Sequence, residues 1–125
     1  MAENKGCACG GGVRVLFPCS GAADTGEISD RVARRLTHDG VGRMSCLAGI
    51  GGRVPYVMDK MPAVDEIWAI DGCPEDCAKR TLELAGFRVA KHVRVTDCGF
   101  EKGKSPATDE NVAAVLGKVQ AQATC

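Results

Sequence analysis

The sequence has no excess of charge of either sign, and it has no long apolar segment. Sixteen basic residues balance sixteen acidic ones, so the formal net charge is zero. Such a chain has no strong field to attract a phosphate backbone or an anionic membrane. No stretch is long and apolar enough for a signal peptide or a membrane span. We therefore expect a cytoplasmic protein that binds neither nucleic acid nor membrane, with a protein partner that the composition does not name.

The length and the apolar content of the chain predict one folded unit. Of its 125 residues, 45% are hydrophobic and 26% are charged, which suffices for one core of ordinary size. Residues 1–12 are small and rich in glycine and cysteine, and they predict a flexible tail. Residues 13–125 predict a single α/β domain.

Short apolar segments alternate with helical patterns along this domain. Strands are predicted over 13–17, 43–46, 66–70 and 91–96, and helices follow at 24–39, 54–61, 74–85 and 108–122, with a flexible glycine-rich turn at 49–52. The fourth strand alternates polar and apolar residues, which is typical of a sheet edge. The alternation of strand and helix predicts a three-layer α/β/α fold around a mostly parallel four-stranded sheet.

Eight cysteines are far more than chance would place in a chain of this length. Because a reducing cytosol disfavours stable disulfides, metal binding or thiol chemistry is the leading explanation. Cys7 and Cys9 lie in the predicted tail, where they are idle or form an accessory metal handle. Cys125, at the chain end, is expected to be a bystander.

The other five cysteines follow the predicted strands. Cys19, Cys46, Cys73 and Cys98 lie at or just past the carboxyl ends of successive strands, and in a parallel sheet those ends share the edge where ligands bind. Cys73 is predicted to cap a helix, which places Cys77 one turn further on the same helical face. The sequence therefore predicts that five thiols converge at one edge of the sheet.

Thiols that converge in this way favour a metal ion. Zinc takes four ligands in tetrahedral geometry and prefers thiolates, so five thiols compete for one site. The positive end of a helix dipole would favour the thiolate of Cys73. His38 and His92 are predicted toward the opposite edge of the sheet, and we expect neither to be a ligand. An iron-sulfur cluster would use the same thiols and stays an alternative.

The segment Asp71-Gly72-Cys73-Pro74, with Cys77 four residues on, resembles the signature of the DGC-domain family of zinc-binding proteins, which is named for an Asp-Gly-Cys motif. The resemblance extends over most of residues 13–105. It is supported by Pro18-Cys19-Ser20-Gly21, by the segment 46–52, and by Val95-Thr96-Asp97 with Gly99 and Lys102.

This resemblance implies a ligand set and supporting residues. The four cysteines that correspond to the zinc ligands of the family are Cys19, Cys46, Cys73 and Cys77. Cys98 is then a fifth, accessory thiol. Beside the ligands, a glycine at position 72 would allow a tight turn, Asp71 could accept hydrogen bonds from loop amides or orient a ligand, and Ser20 is placed to donate to a sulfur.

Several functions are compatible with these thiols. A closed site of four thiolates leaves no open position for water, so a structural, sensing or metal-transfer role is favoured over hydrolysis, and no catalytic residue is predicted. The alternative is a thiol redox or sulfur-handling protein that uses Cys19, Cys73 and Cys77. The sequence argues against a cysteine phosphatase, because the next arginine after Cys19 is Arg31, too far along to clamp a phosphate.

Overall fold

A computed structural model describes residues 12–122 of the chain. The predicted tail up to residue 11 and the expectations for Cys7, Cys9 and Cys125 lie outside the described residues. The four strands are β1 (Arg14–Pro18), β2 (Arg43–Met44), β3 (Glu66–Asp71) and β4 (Lys91–Arg94). They form one sheet in the spatial order β2-β1-β3-β4, and every pair is parallel. The predicted four-stranded α/β sheet is confirmed, with β4 at an edge as expected.

Within residues 12–122, five α-helices connect and flank the strands. They are α1 (Asp24–His38), α2 (Leu47–Gly51), α3 (Pro55–Met58), α4 (Cys77–Leu84) and α5 (Asp109–Gln122), with 3-10 turns at Met61–Ala63 and Val95–Cys98. No helix in residues 12–122 is both long enough and apolar enough to cross a lipid bilayer.

The glycine-rich segment 49–52, predicted as a flexible turn, is largely helical and completes α2. Its glycine content has a packing reason. A Cβ atom on Gly49 would lie 2.4 Å from a methyl group of Val57, so only glycine lets α2 approach α3 this closely. The prediction of a loop was therefore wrong.

Alternating strand residues build two separate cores, one on each face of the sheet. Leu16, Trp68, Ile70 and Val93 pack against α1 and α5 on one face. Strand residues of opposite orientation pack against α2, α3 and α4 on the other face: Val15, Phe17, Ile67 and Ala69. Two buried cores separated by one sheet confirm the three-layer architecture.

Both edges of the sheet are short, and the edge at β2 is protected. The Met44 amide of this two-residue strand donates to the Thr37 hydroxyl of α1 at 2.9 Å, so it is not left free to pair with another strand.

The amino-terminal ends of the strands carry a charged pair. Here Arg14 of β1 donates to Glu66 of β3 at 2.6 Å and lies over the Trp68 ring. The ion pair therefore lies at the opposite end of the strands from the thiols, which follow the carboxyl ends.

Candidate metal centre

Cys19 follows β1 at the carboxyl edge of the sheet. Its backbone amide donates to the Ile70 carbonyl at 2.9 Å, which extends the β1–β3 ladder by one residue. The Cys19 sulfur accepts a hydrogen bond from the Gly72 amide at 3.3 Å. It also lies 3.2 Å from the hydroxyl of Ser29, which donates to the Gly26 carbonyl. Cys19 is therefore tied by its backbone and by its sulfur to the Asp-Gly-Cys segment that follows β3.

Gly72 is required by the close approach of α1. A Cβ atom at this position would lie 2.6–2.7 Å from backbone atoms of Thr25 and Gly26, in the first turn of α1. Gly72 is not among the glycines with a left-handed backbone. The reason for glycine is therefore steric, where the sequence suggested a tight turn. The contact brings the first turn of α1 against the loop that carries Cys73.

Asp71 holds the start of α4. This carboxylate is 1% exposed, and its two oxygens accept hydrogen bonds from the amides of Ala78 at 2.7 Å and Lys79 at 3.2 Å. These are two of the unpaired amides in the first turn of a helix, and a buried carboxylate satisfies them well. The sequence suggested that Asp71 accepts loop amides or orients a ligand; the amides that it accepts belong to helix α4.

Helix α4 begins at Cys77, so the prediction that Cys73 caps this helix was wrong. Cys73 instead opens a turn, in which the Asp76 amide donates to the Cys73 carbonyl at 3.2 Å. The physical cause is the backbone of Asp76, which has φ 58° and ψ 42°. A left-handed residue cannot continue a right-handed helix, so helical geometry starts one residue later. Pro74, suited to a first helical turn, lies in the turn before the helix.

A loop after β4 brings a positive charge to Cys73. The Lys102 ammonium donates to the Cys73 sulfur at 3.6 Å. Asp24, the first residue of α1, anchors this loop by accepting the amides of Gly103 at 2.9 Å and Ser105 at 3.0 Å. These two backbone bonds lower the pKa of Asp24 below its usual value. The first turn of α1 therefore orients the loop that delivers Lys102.

Cys77 shares its surroundings with two of the other thiols. The Cys19 sulfur accepts the amide of Gly72, which directly precedes Cys73, and Cys77 follows four residues later. Loss of solvation raises the pKa of the Cys77 thiol, and the Asp71 carboxylate raises that pKa further. Cys19, Cys73 and Cys77 therefore lie around one turn at the carboxyl edge of the sheet.

Cys46 and Cys98 lie on either side of this region. Cys46 is exposed, immediately precedes α2, and lines an open groove that Cys19 also lines. Cys98 packs against the core that α1 and α5 form, with its sulfur 3.6 Å from the Arg94 carbonyl. Burial raises the pKa of the Cys98 thiol. Cys46 thus opens onto the same surface as Cys19, whereas Cys98 belongs to the opposite layer.

The hydroxyl closest to a sulfur belongs to Ser29. Ser20 has a left-handed backbone, and its hydroxyl donates to Asp30 at 2.7 Å. Ser29 lies fully buried on the inner face of α1, where its hydroxyl meets Cys19. The signal for Ser29 was present in the sequence, since it places a polar residue on an otherwise apolar helical face between Ile28 and Val32.

His92 was predicted toward the opposite edge, and the structure corrects this position. Strand β4 begins beside the middle of β3, with Lys91 paired to Trp68, so all of β4 lies near the carboxyl edge. The His92 imidazole consequently reaches Asp71, with Nε2 2.8 Å from a carboxylate oxygen. His38 is exposed at the end of α1, with its Nδ1 3.4 Å from the Asp39 carboxylate.

Residues 12–122 contain one group of three or more histidine, cysteine or acidic side chains whose possible metal-binding atoms all lie within 4.8 Å of one another. This group consists of Asp71, Asp76 and His92. No three sulfurs of the predicted ligands lie this close together. The carboxylates of the group are already engaged, because Asp71 caps α4 and Asp76 accepts two hydrogen bonds from Arg94, at 2.7 and 2.8 Å. An adjoining guanidinium also opposes a cation. Both carboxylates of the group therefore already have partners in the protein.

Fold and site together define a class: a three-layer α/β protein with a cluster of thiols around an Asp-Gly-Cys turn at the carboxyl edge of its sheet. The model of the family described as the DGC domain matches residues 15–119. The chain belongs to this family, and the resemblance seen in the sequence is confirmed.

One relative shows how far the similarity extends. The anaerobic and virulence modulator AnvM of Pseudomonas aeruginosa strain PAO1 is 31% identical over 88 residues, which cover 70% of this chain and 67% of that protein. No solved structure matches the chain.

Proposed function

We propose that the protein binds one zinc ion through the thiolates of Cys19, Cys46, Cys73 and Cys77 at the carboxyl edge of the sheet. The observation that carries this proposal is the hydrogen bond from the Gly72 amide to the Cys19 sulfur at 3.3 Å, which places the Cys19 thiol against the segment that carries Cys73 and Cys77. Cys19 comes from the segment after β1, and Cys73 and Cys77 come from the segment after β3. Zinc explains why these thiols gather at one edge, because it prefers thiolate ligands and binds four of them.

The surroundings of the thiols support metal-bound thiolates. The Gly72 amide already donates to the Cys19 sulfur, and the Lys102 ammonium donates to that of Cys73. A zinc ion with four thiolates carries net negative charge. Hydrogen-bond donors of this kind offset that charge and orient the sulfur ligands. Cys46 and Cys77 are exposed and have one side-chain torsion each, so their sulfurs turn toward an ion at small cost.

Bound zinc would act as a cross-link rather than as a site of reaction. When present, the ion supplies four strong bonds and holds the segments after β1, β2 and β3 together. The residues of this chain supply the thiolates and the donors around them. Two packed cores stabilise the sheet without the ion, which favours a sensing or metal-transfer role over a purely structural one. The name of AnvM, a modulator, supports a regulatory role of this kind.

Metal analysis by mass spectrometry tests the proposal directly. The protein is purified without chelator and without a metal-binding tag, and free thiols are counted before and after denaturation. We expect about one zinc per chain, with the four ligand thiols protected until the protein is denatured. Iron accompanied by sulfide would favour a cluster on the same cysteines.

A thiol redox function is the second candidate. It is favoured by the accessible position of Cys73 beside the Lys102 ammonium, since a neighbouring cation activates a thiolate. The raised pKa of Cys77 argues against this residue as the attacking thiol. A metal-free protein with reactive thiols or an internal disulfide would put this candidate first.

Substitution of Lys102 by glutamine is expected to release zinc about tenfold faster, because the Cys73 thiolate loses a charged donor. The measurement is the rate of zinc transfer to a chromogenic chelator. Lys104→Gln is the matched control, since Lys104 lies in the same loop and pairs with the exposed Glu101, at 3.6 Å. Equal release rates in the two variants would show that Lys102 does not support the site.

A further inference from the structure

Asp76 has a backbone conformation that non-glycine residues rarely adopt. It lies in the left-handed region, at φ 58° and ψ 42°, directly before Cys77. Such a conformation persists only where the surrounding structure holds it in place. The position is significant because Asp76 separates the turn that begins at Cys73 from the helix that begins at Cys77.

Arg94 holds Asp76 in this conformation. Its Nε and one terminal nitrogen donate to the two carboxylate oxygens of Asp76, at 2.7 and 2.8 Å. This two-bond geometry is the strongest and most directional pairing of an arginine with a carboxylate. Arg94 is itself fixed, because it is the last residue of β4 and is paired in register with Asp71 of β3. The His92 imidazole adds a contact to Asp76 at 3.5 Å.

Cys77 is therefore anchored on both sides. The residue before it is held by Arg94 from β4, and the residue after it, Ala78, is held by Asp71 from β3. The backbone of Cys77 thus has little freedom to shift relative to the sheet. Its side chain remains exposed at the carboxyl edge.

The same pair keeps a carboxylate away from the thiols. Both oxygens of Asp76 are occupied by Arg94. Without that arginine, the carboxylate next to Cys77 would be free to bind a metal ion in place of a thiolate. Zinc accepts carboxylate oxygen as well as sulfur.

We propose that the Arg94–Asp76 pair is a positioning and selectivity device, which fixes Cys77 for metal binding and withholds the Asp76 carboxylate from the ion. This proposal rests on the proposed zinc site. Arg94 and Asp76 are positioning residues in it, and neither is a ligand.

The test compares Arg94→Ala with the wild type and with Arg14→Ala as a matched control. Arg14 makes a similar half-buried pair with Glu66, but at the opposite edge of the sheet. Zinc affinity is measured by competition with a chelator, metal-free stability by urea unfolding followed by circular dichroism, and coordination by the sulfur-to-cobalt charge-transfer absorption of the cobalt-loaded protein. The last measurement reports the number of thiolates, which a purely structural role would not change.

Arg94→Ala is expected to bind zinc at least tenfold more weakly than the wild type. Its charge-transfer absorption should fall by about a quarter, the share of one thiolate in four. Arg14→Ala should lose stability while it keeps zinc affinity and the full absorption. Equal affinity and equal absorption in the two variants would overturn the positioning role.

Asp76→Gly keeps the test decisive if Arg94→Ala folds poorly. Glycine adopts the left-handed conformation without strain, so the chain can still fold, but Arg94 no longer holds the turn before Cys77, and no carboxylate is left to reach the metal. We expect weaker zinc binding with an undiminished charge-transfer absorption. Unchanged affinity in this variant would contradict the proposal. A wild-type protein that binds no zinc would instead overturn the zinc site itself, so the two failures are distinguishable.

Discussion

Serine in place of Cys73 or of Cys77 is expected to lower the zinc content well below one ion per chain. Each change removes one of four thiolates, and a hydroxyl is a far weaker ligand for zinc because it is not ionised at neutral pH. Both cysteines lie on the turn between β3 and α4, where Asp71 and Arg94 hold the backbone. The fold should therefore survive the substitution while metal binding fails. Metal content per chain is the measurement, with circular dichroism to verify the fold.

Two other cysteines supply controls for this experiment. Cys125→Ser is expected to leave the zinc content unchanged, because the chain end was predicted to be a bystander. Cys98→Ala removes a thiol that packs in the core of α1 and α5, and it should cost stability without loss of zinc. Equal zinc occupancy in all of these variants would refute the four-cysteine assignment.

Alanine at position 72 is expected to destabilise the fold by about 3 kcal/mol, at the upper end of the range for overpacking. The added Cβ would lie 2.6 Å from the backbone of Thr25, and backbone atoms in a helix cannot move aside as a flexible side chain would. The resulting shift of α1 or of the Gly72 loop would also break the hydrogen bond to the Cys19 sulfur. Urea unfolding of the metal-free protein measures the effect, and zinc affinity should fall with it.

Gly117→Ala is the matched control for this substitution. Gly117 lies within α5, and no atom comes within 4 Å of a Cβ built on it. Alanine there should stabilise the protein by roughly 0.5–1 kcal/mol, because glycine is a poor residue in a helix interior. Similar unfolding free energies for the two variants would show that the approach of α1 to Gly72 is not tight.

Much of the fold could be predicted because its signals are local. The apolar segments of β1 and β3 and the helical spacing in α1 and α5 recur at the periods of their structures. The incorrect predictions concern segments whose conformation depends on contacts with residues elsewhere in the chain. Segment 49–52 becomes helical because Gly49 accommodates Val57, and α4 begins at Cys77 because Arg94 holds Asp76 in a left-handed conformation. Neither partner is visible from local sequence.

The candidate site divides in the same way. The sequence by itself determined that cysteines follow the strands, and the parallel topology then places them at one edge because all carboxyl ends of parallel strands lie there. Only the tertiary structure decided which groups surround each thiol. The stagger of β4 brings His92 and Arg94 to the edge, the loop anchored on Asp24 brings Lys102 to Cys73, and packing of α1 brings Ser29 to Cys19. These contacts depend on strand register and helix packing, which are set by the sum of many distant interactions and leave no periodic mark in the chain.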